Sequence, residues 1–257
     1  MTKALEYAPS GILGVLTPQA NTTVEPEFGI LLPPGTGMIA ARLTSDRPTI
    51  DERLVDYVES MERSLDQFAN VPLDAVAFAC TGAAYLVDPA EEDRHLAKIE
   101  TGRGYPVVTA ANALCDALES LGARHIGIVS PYGDLLHENA LEYWEKRGLI
   151  IVRAERIASD DAAFHPIYSL GGDASGRALE AIGTDGLEAI AMLGTGLPTL
   201  PAILRASAHP LPVVSPNLCL VWRSLLAIRG EVPTAEGLAP WVNGSAWSGR
   251  FRARIDP

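Results

Sequence analysis

Asp74-Ala-Val-Ala-Phe-Ala-Cys80-Thr-Gly-Ala-Ala-Tyr-Leu86 aligns without gaps on Glu188-Ala-Ile-Ala-Met-Leu-Gly194-Thr-Gly-Leu-Pro-Thr-Leu200, at an offset of 114 residues. Each copy reads as a short apolar strand that runs into a Thr-Gly turn and a helix entrance. A second pair keeps nearly the same spacing: Gly14-Val-Leu-Thr-Pro18 echoes Gly127-Ile-Val-Ser-Pro131 at an offset of 113. A third pair sets Pro106-Val-Val-Thr109, with Asn112 and Cys115 after it, beside Pro212-Val-Val-Ser215, with Asn217 and Cys219 after it. A duplicated lobe places related loops face to face across a cleft. The copies differ at the one atom able to do chemistry, and Cys80 is expected to look at Gly194 through a bound ligand.

Outward from these repeats, apolar runs alternate with amphipathic ones along the whole chain. Strands are expected at Ile12–Thr17, Gly37–Leu43, Ala75–Ala79, Val107–Thr109, His125–Ser130, Leu149–Ala154, Ala189–Leu193 and Pro212–Val214. Helical patterns fall at Ile50–Phe68, Pro89–Ile99, Ala111–Leu121, Leu135–Arg147, Ser175–Ile182, Pro198–Arg205 and Asn217–Ile228. Strands alternating with helices that cover both faces imply parallel sheets and an α/β fold. The expected division is a first lobe of residues 1–110 completed by 215–257, and a second of residues 111–214, each able to bury its own core. Ligands in such folds bind beyond the carboxyl ends of the strands, where all the echoed loops lie.

Composition narrows the partners. The 257 residues are 47% hydrophobic and 20% charged, with a net charge of −12 and no basic run. Nucleic acid and anionic membranes need clustered Lys and Arg, so neither is expected as a partner. The amino terminus lacks a signal pattern and no apolar run reaches membrane length, which predicts a cytoplasmic protein. Three cysteines without paired spacing fit a reducing compartment and neither a disulfide frame nor a zinc site.

Cys80 is the foremost candidate for chemistry. At a helix entrance, unpaired N–H groups favour the thiolate and lower the thiol pKa. Cys115 and Cys219 lie inside apolar helical patterns and read as core. Thr81-Gly82 and Thr195-Gly196 offer backbone N–H groups and close approach to a carboxylate or an enediolate. In Pro18-Gln-Ala-Asn21-Thr22-Thr23-Val-Glu25, Thr22 or Thr23 suits a helix cap, leaving Asn21 to face a ligand. Tyr132 follows Ser130-Pro131 and aims at the same cleft. No dinucleotide or phosphate loop and no His-Glu-x-x-His is present. The lysines, Lys3, Lys98 and Lys146, avoid the echoed strand ends, which disfavours a Schiff-base cofactor. The histidines His95, His125, His137, His165 and His209 lack ligand spacing and read as surface or core, His165 least clearly.

Pro18-Gln-Ala-Asn21-Thr-Thr-Val-Glu25, Ala79-Cys80-Thr81 and Ser130-Pro131-Tyr132 together resemble the Asp/Glu racemase superfamily, in the branch of maleate isomerase and arylmalonate decarboxylase. The resemblance covers almost the whole chain. It implies two pseudo-symmetric α/β lobes, no metal, no organic cofactor, and a small carboxylate substrate between the lobes; it also permits a homodimer. Cys80 falls on the first catalytic cysteine, and Asn21 and Tyr132 on carboxylate-binding positions. Thr81 and Gly82 fall on the dioxyanion pocket, with Thr195 and Gly196 opposite, while Pro18 completes the binding wall. Gly194 departs from the pattern, standing where racemases and isomerases carry a second cysteine.

One thiol limits the reaction. Two-base racemisation needs an acid and a base on opposite faces and is disfavoured. Decarboxylation of a substituted malonate needs one proton donor, so a decarboxylase with one-sided protonation by Cys80 is the leading expectation. Cis–trans isomerisation of a maleate-like acid, with Cys80 as nucleophile, stands close behind. A carboxylate-binding protein that has lost catalysis is the third reading. The facing-loop expectation also implies that Gly194→Cys would supply a second acid/base group.

Overall fold

The computed structural model describes residues 5–158 and 165–255. Lys3 and the pair Asp160-Asp161 lie outside them. The strands are β1 (Ile12–Pro18), β2 (Gly37–Leu43), β3 (Ala75–Phe78), β4 (Val107–Thr109), β5 (His125–Ser130), β6 (Ile150–Arg156), β7 (Ala189–Met192) and β8 (Val213–Val214). The helices before β5 are α1 (Val24–Leu31), α2 (Ile50–Glu59), α3 (Met61–Leu65), α4 (Thr81–Ala84), α5 (Pro89–Arg103) and α6 (Ala110–Ser120). After it come α7 (Asp134–Lys146), α8 (Gly172–Ile182), α9 (Leu200–Arg205), α10 (Pro216–Arg229), α11 (Ala235–Val242) and α12 (Ser248–Ile255).

Two four-stranded parallel sheets result, ordered β2-β1-β3-β4 and β6-β5-β7-β8. The second repeats the first strand for strand. The repeat extends to side chains: Asp74 accepts the Ile12 N–H at 2.7 Å, and Glu188 accepts those of Arg124 and His125 at 2.6 and 2.8 Å. The acid that heads each echoed stretch thus pins the start of the neighbouring strand. Gly14 and Gly127 serve alike as well: a Cβ at Gly14 would lie 3.1 Å from Leu73, and one at Gly127 2.8 Å from Ile182 and Leu187.

Central strands β1, β3, β5 and β7 are buried almost throughout, which is why they read as unbroken apolar runs. Strand β6 is exposed along most of its length, as an edge strand is. Helix α10 follows β8 yet packs against α6, β3 and α1, so the two halves share one buried wall. The helical pattern at Ile50–Phe68 is broken at Ser60, whose N–H is shared between the Asp56 and Val58 carbonyls; α3 and a short 3-10 turn continue from there. Helices α1, α4, α11 and α12 lie outside the expected helical patterns, although helix starts were expected at Thr22 or Thr23 and after Cys80. Helix α12 lies along α1, where Arg250 donates to the Ile30 and Leu31 carbonyls. Among the described residues, no helix is long and apolar enough to cross a membrane.

Candidate active site

The strand-end loops of the two sheets bond to one another. Thr195 Oγ1 donates to the Ala79 carbonyl at 2.9 Å, next to Cys80. Thr81 Oγ1 and the Tyr132 hydroxyl share a hydrogen bond of 2.9 Å, and Thr23 Oγ1 donates to the Gly196 carbonyl at 2.8 Å. Each bond joins a loop of one sheet to a loop of the other. Behind them Tyr85, Tyr132, Tyr143 and Trp144 pack edge to face, with centroids 5.1–5.8 Å apart, and support both loops.

A narrow cavity of about 50 Å³ lies between these loops. Pro18, Cys80, Gly82, Tyr132, Thr195 and Gly196 line it. Asn21, Thr81 and Gly194 do not. Asn21 is 3% exposed; its Oδ1 accepts the N–H groups of Thr23 and Val24 and caps α1, and its amide reaches Thr195 Oγ1 at 3.3 Å. The cap was expected from Thr22 or Thr23; Thr23 does stand at the N-cap position, but its hydroxyl crosses to the other sheet and the Asn21 oxygen takes the N–H groups instead. The asparagine oxygen is better placed for an Asx-type cap because it reaches two successive N–H groups.

Gly194 does not face Cys80 across open space. A Cβ built on it would meet Ile167 Cδ1 at 2.6 Å, Pro131 at 2.9 Å and the Tyr132 hydroxyl at 3.4 Å. Ile167 and Pro131 crowd the first atom that any side chain at this position would add.

Sequence reading missed two groups of wall residues. One face of α2 supplies Ile50, Arg53, Leu54 and Tyr57, at the i, i+3, i+4, i+7 spacing of a helix stripe. The capping box between Thr49 and Glu52 fixes where that helix starts, and it was a usable sequence signal. The second group is His165, Ile167 and Tyr168, from a short 3-10 turn that precedes α8. His165 meets the Tyr168 ring edge-on at 5.0 Å, and burial lowers its pKa to about 4, so the imidazole is neutral near pH 7.

Cys80 is 5% exposed and ends its strand in extended backbone. Burial pushes its thiol from 9.0 up to about 12, against the pull of the Ala83 and Gly82 N–H groups. The expected depression is thus overturned. Helix α4 has four residues, so its dipole is slight, and loss of hydration dominates at roughly 4 kcal/mol against ionisation. Alkylation of the free protein at Cys80 is therefore expected to quicken about tenfold per pH unit from neutrality to above pH 9, without a plateau. Peptide-resolved mass spectrometry with iodoacetamide measures this, and a plateau near neutral pH would show an activated thiolate instead.

Two parallel sheets of matching order, with a lone thiol at a strand end in the cavity between them, define a two-lobed α/β enzyme class with its site at the pseudo-symmetric junction. The sequence matches the arylmalonate decarboxylase (Amdase) family profile over residues 13–238, and the chain belongs to that family, within the Asp/Glu racemase superfamily. The maleate isomerase of Geobacillus stearothermophilus is 24% identical over 258 residues, covering 93% of this chain and 98% of that protein. A cysteine-to-alanine variant of the Pseudomonas putida S16 maleate isomerase, solved with maleate, superposes with a TM-score of 0.77 at 22% identity, covering 91% of this chain and 98% of that one. A Nocardia farcinica maleate isomerase variant, solved with a covalently bound succinylcysteine intermediate, superposes with a TM-score of 0.75 at 23% identity, covering 91% of this chain and 98% of that one. The chain is an enzyme of the branch that holds maleate isomerases and arylmalonate decarboxylases.

Proposed function

We propose that this enzyme isomerises a small cis-unsaturated dicarboxylate of the maleate type, with Cys80 as nucleophile. The observation that carries the reading is the Cys80 thiol in the wall of the narrow cavity between the strand-end loops, with no second thiol lining it among the described residues. Ile50, Leu54, Leu136, Ile167 and Tyr168 close that cavity on the apolar side, while Arg53, Tyr132 and the Thr195-Gly196 turn offer polar contacts to a small diacid. The succinylcysteine seen in the Nocardia relative supports the same chemistry.

The reaction balances without an oxidant. The Cys80 proton leaves, and the sulfur pair forms a bond to one alkene carbon. The π pair moves onto the adjoining carboxylate as an enediolate. The carbon–carbon bond, now single, rotates; the pair returns, the C–S bond breaks, and the thiolate recovers its proton. Burial lowers the His165 pKa to about 4, so this imidazole stays neutral in the wall, and the Cys80 proton passes to water and returns from it. The Tyr132 hydroxyl and the N–H groups of the Thr195-Gly196 turn stabilise the enediolate, and Arg53 on α2 holds the second carboxylate.

Proton NMR with maleate tests the reading: fumarate should appear, and quenched enzyme should carry one substrate mass on Cys80. Arg53→Gln should raise KM about tenfold or more with a smaller change in kcat, as loss of a charge-assisted contact does. Loss of CO2 from malonates with no maleate turnover would instead establish the decarboxylase. That second reading keeps support from the burial of Cys80, which pushes its thiol up and favours the protonated form a donor needs, and from Gly194, which removes the second thiol.

A further inference from the structure

Glu27 takes no part in the scheme above, yet it is a carboxylate buried between the two halves. It sits on α1, is 5% exposed, and forms no ion pair among the described residues. An isolated buried charge is costly unless donors surround it. They do. Oε1 accepts the Thr199 N–H at 2.9 Å and the Leu200 N–H at 3.3 Å, and Oε2 accepts Asn217 Nδ2 at 2.8 Å. The same Nδ2 donates its other hydrogen to the Thr195 carbonyl at 3.0 Å. Thr195 lines the cavity, so one amide ties the buried carboxylate to the wall of the site. The other end of that amide, Asn217 Oδ1, is buried with no hydrogen-bond partner.

We propose that Glu27 is a positioning residue for the Thr195-Gly196 wall: as a carboxylate it aims the Asn217 amide at the Thr195 carbonyl, and on protonation the amide turns over and lets that carbonyl go. Each of these hydrogen bonds, among the described residues, brings a donor to the Glu27 oxygens, so the arrangement as it stands suits the ionised form. A proton on Oε2 would point at the Asn217 N–H. The relief is a flip that presents the unpartnered Oδ1 to the new O–H, and the flip sets oxygen against oxygen at Thr195. The inference rests on the cavity being the reaction site.

Burial raises the Glu27 pKa from 4.5 to about 7, opposed by the bonds from Asn217, Thr199 and Leu200, so the change of state falls in the physiological range. Other charged or titratable groups nearby do not provide it. Glu25 on α1 pairs with Arg42; Arg250 on α12 is spent on the Ile30 and Leu31 carbonyls; and a Cβ on Gly29 would lie 3.5 Å from the Arg254 guanidinium. Cys219 on α10 is pushed far up by burial. In the cavity, Cys80 and His165 titrate near 12 and 4. The sign for stability is opposite to that for activity. A raised carboxyl pKa means the Glu27 contribution to stability is present below about pH 4.5 and lost as pH rises through about 7.

The test needs no substrate at its first step. The side-chain carboxyl carbon of Glu27 and the side-chain amide of Asn217 are followed by NMR in the intact wild-type protein. Both should move together through one ionisation near pH 7, and the amide should stop titrating in Glu27→Gln. That variant presents a donor toward Asn217 and should hold the flipped state, losing about fivefold to tenfold in kcat at pH 8, one hydrogen bond's worth. The inflection that Glu27 adds to wild-type kcat near pH 7 should vanish with it, leaving only the steady rise set by the Cys80 thiol. A Glu27 carboxyl that titrates near 4, or an Asn217 amide that does not follow it, overturns the proposal even if the variant fails to fold. An amide titration intact beside an unchanged kcat profile in Glu27→Gln also overturns it. Absence of maleate turnover would count against the isomerase reading, while the NMR titration would still judge Glu27.

Discussion

Cys80→Ala should lower the turnover of maleate by about 10⁴-fold or more while the protein stays folded, the scale on which enzymes lose rate when a nucleophile is removed. The change deletes one buried sulfur from a tightly packed strand end, at a stability cost of about 1–2 kcal/mol. The loss should appear in kcat and not in KM, because the Thr195-Gly196 turn, Tyr132 and Arg53 would still bind the diacid. Proton NMR progress curves and a thermal melt on the same sample separate the chemical effect from the structural one. Cys80→Ser sharpens the test: a hydroxyl can still pass a proton but adds poorly to an alkene. An isomerase should be nearly as inactive with serine as with alanine. A one-donor decarboxylase should keep measurably more activity with serine. Cys115→Ala and Cys219→Ala should leave turnover within about twofold, since neither thiol lines the cavity.

What the sequence disclosed follows from range along the chain. The repeated β3 and β7 stretches are local patterns, so the duplicated parallel α/β lobes and the strand-end position of the site could be read directly. Strand order and the Asp74 and Glu188 clasps, which join residues 62 to 64 apart, appear only in the fold. Pro18, Cys80, Gly82, Tyr132, Thr195 and Gly196 line the cavity because they end or follow β1, β3, β5 and β7. Arg53, Tyr57, His165 and Tyr168 arrive through packing of segments that carry no echo, and no local signal places α2 over the cleft. Two misreadings have energetic origins. The thiol of Cys80 was weighed by its helix entrance, whereas its burial outweighs the dipole of four residues. Asn21 was read as facing the ligand because polar residues after a strand often do, yet two backbone N–H groups claim its oxygen. Glu27 escaped notice because an acid in the first turn of a helix looks like an ordinary helix start; only the fold shows it against α9 and α10.

Gly194→Cys, the substitution that the repeat invites as a way to restore a second thiol, should instead destabilise the protein by about 2–5 kcal/mol and leave racemisation absent. Two independent costs lead to that figure. Gly194 holds φ at +89°, where an L-residue is strained by about 1–2 kcal/mol. Its Cβ would also press on Ile167 Cδ1 at 2.6 Å and Pro131 at 2.9 Å, an overpacking worth about 1–3 kcal/mol. The proline ring is rigid and cannot yield, so the isoleucine must. Ile167→Ala in the same chain should return part of the second cost and none of the first. Urea unfolding of Gly194→Cys, Ile167→Ala and the double variant forms a cycle in which a coupling of about 1 kcal/mol or more marks the contact. Deuterium exchange at the α-carbon of a bound 2-substituted acid reports the chemistry. The single variant should show none, because Gly194 does not line the cavity and Ile167 and Pro131 crowd a side chain there. Exchange that appears only once Ile167 is cut back would identify this isoleucine as the group that commits the enzyme to one thiol. Exchange in Gly194→Cys alone, with stability unchanged, would mean that the two loops face each other after all.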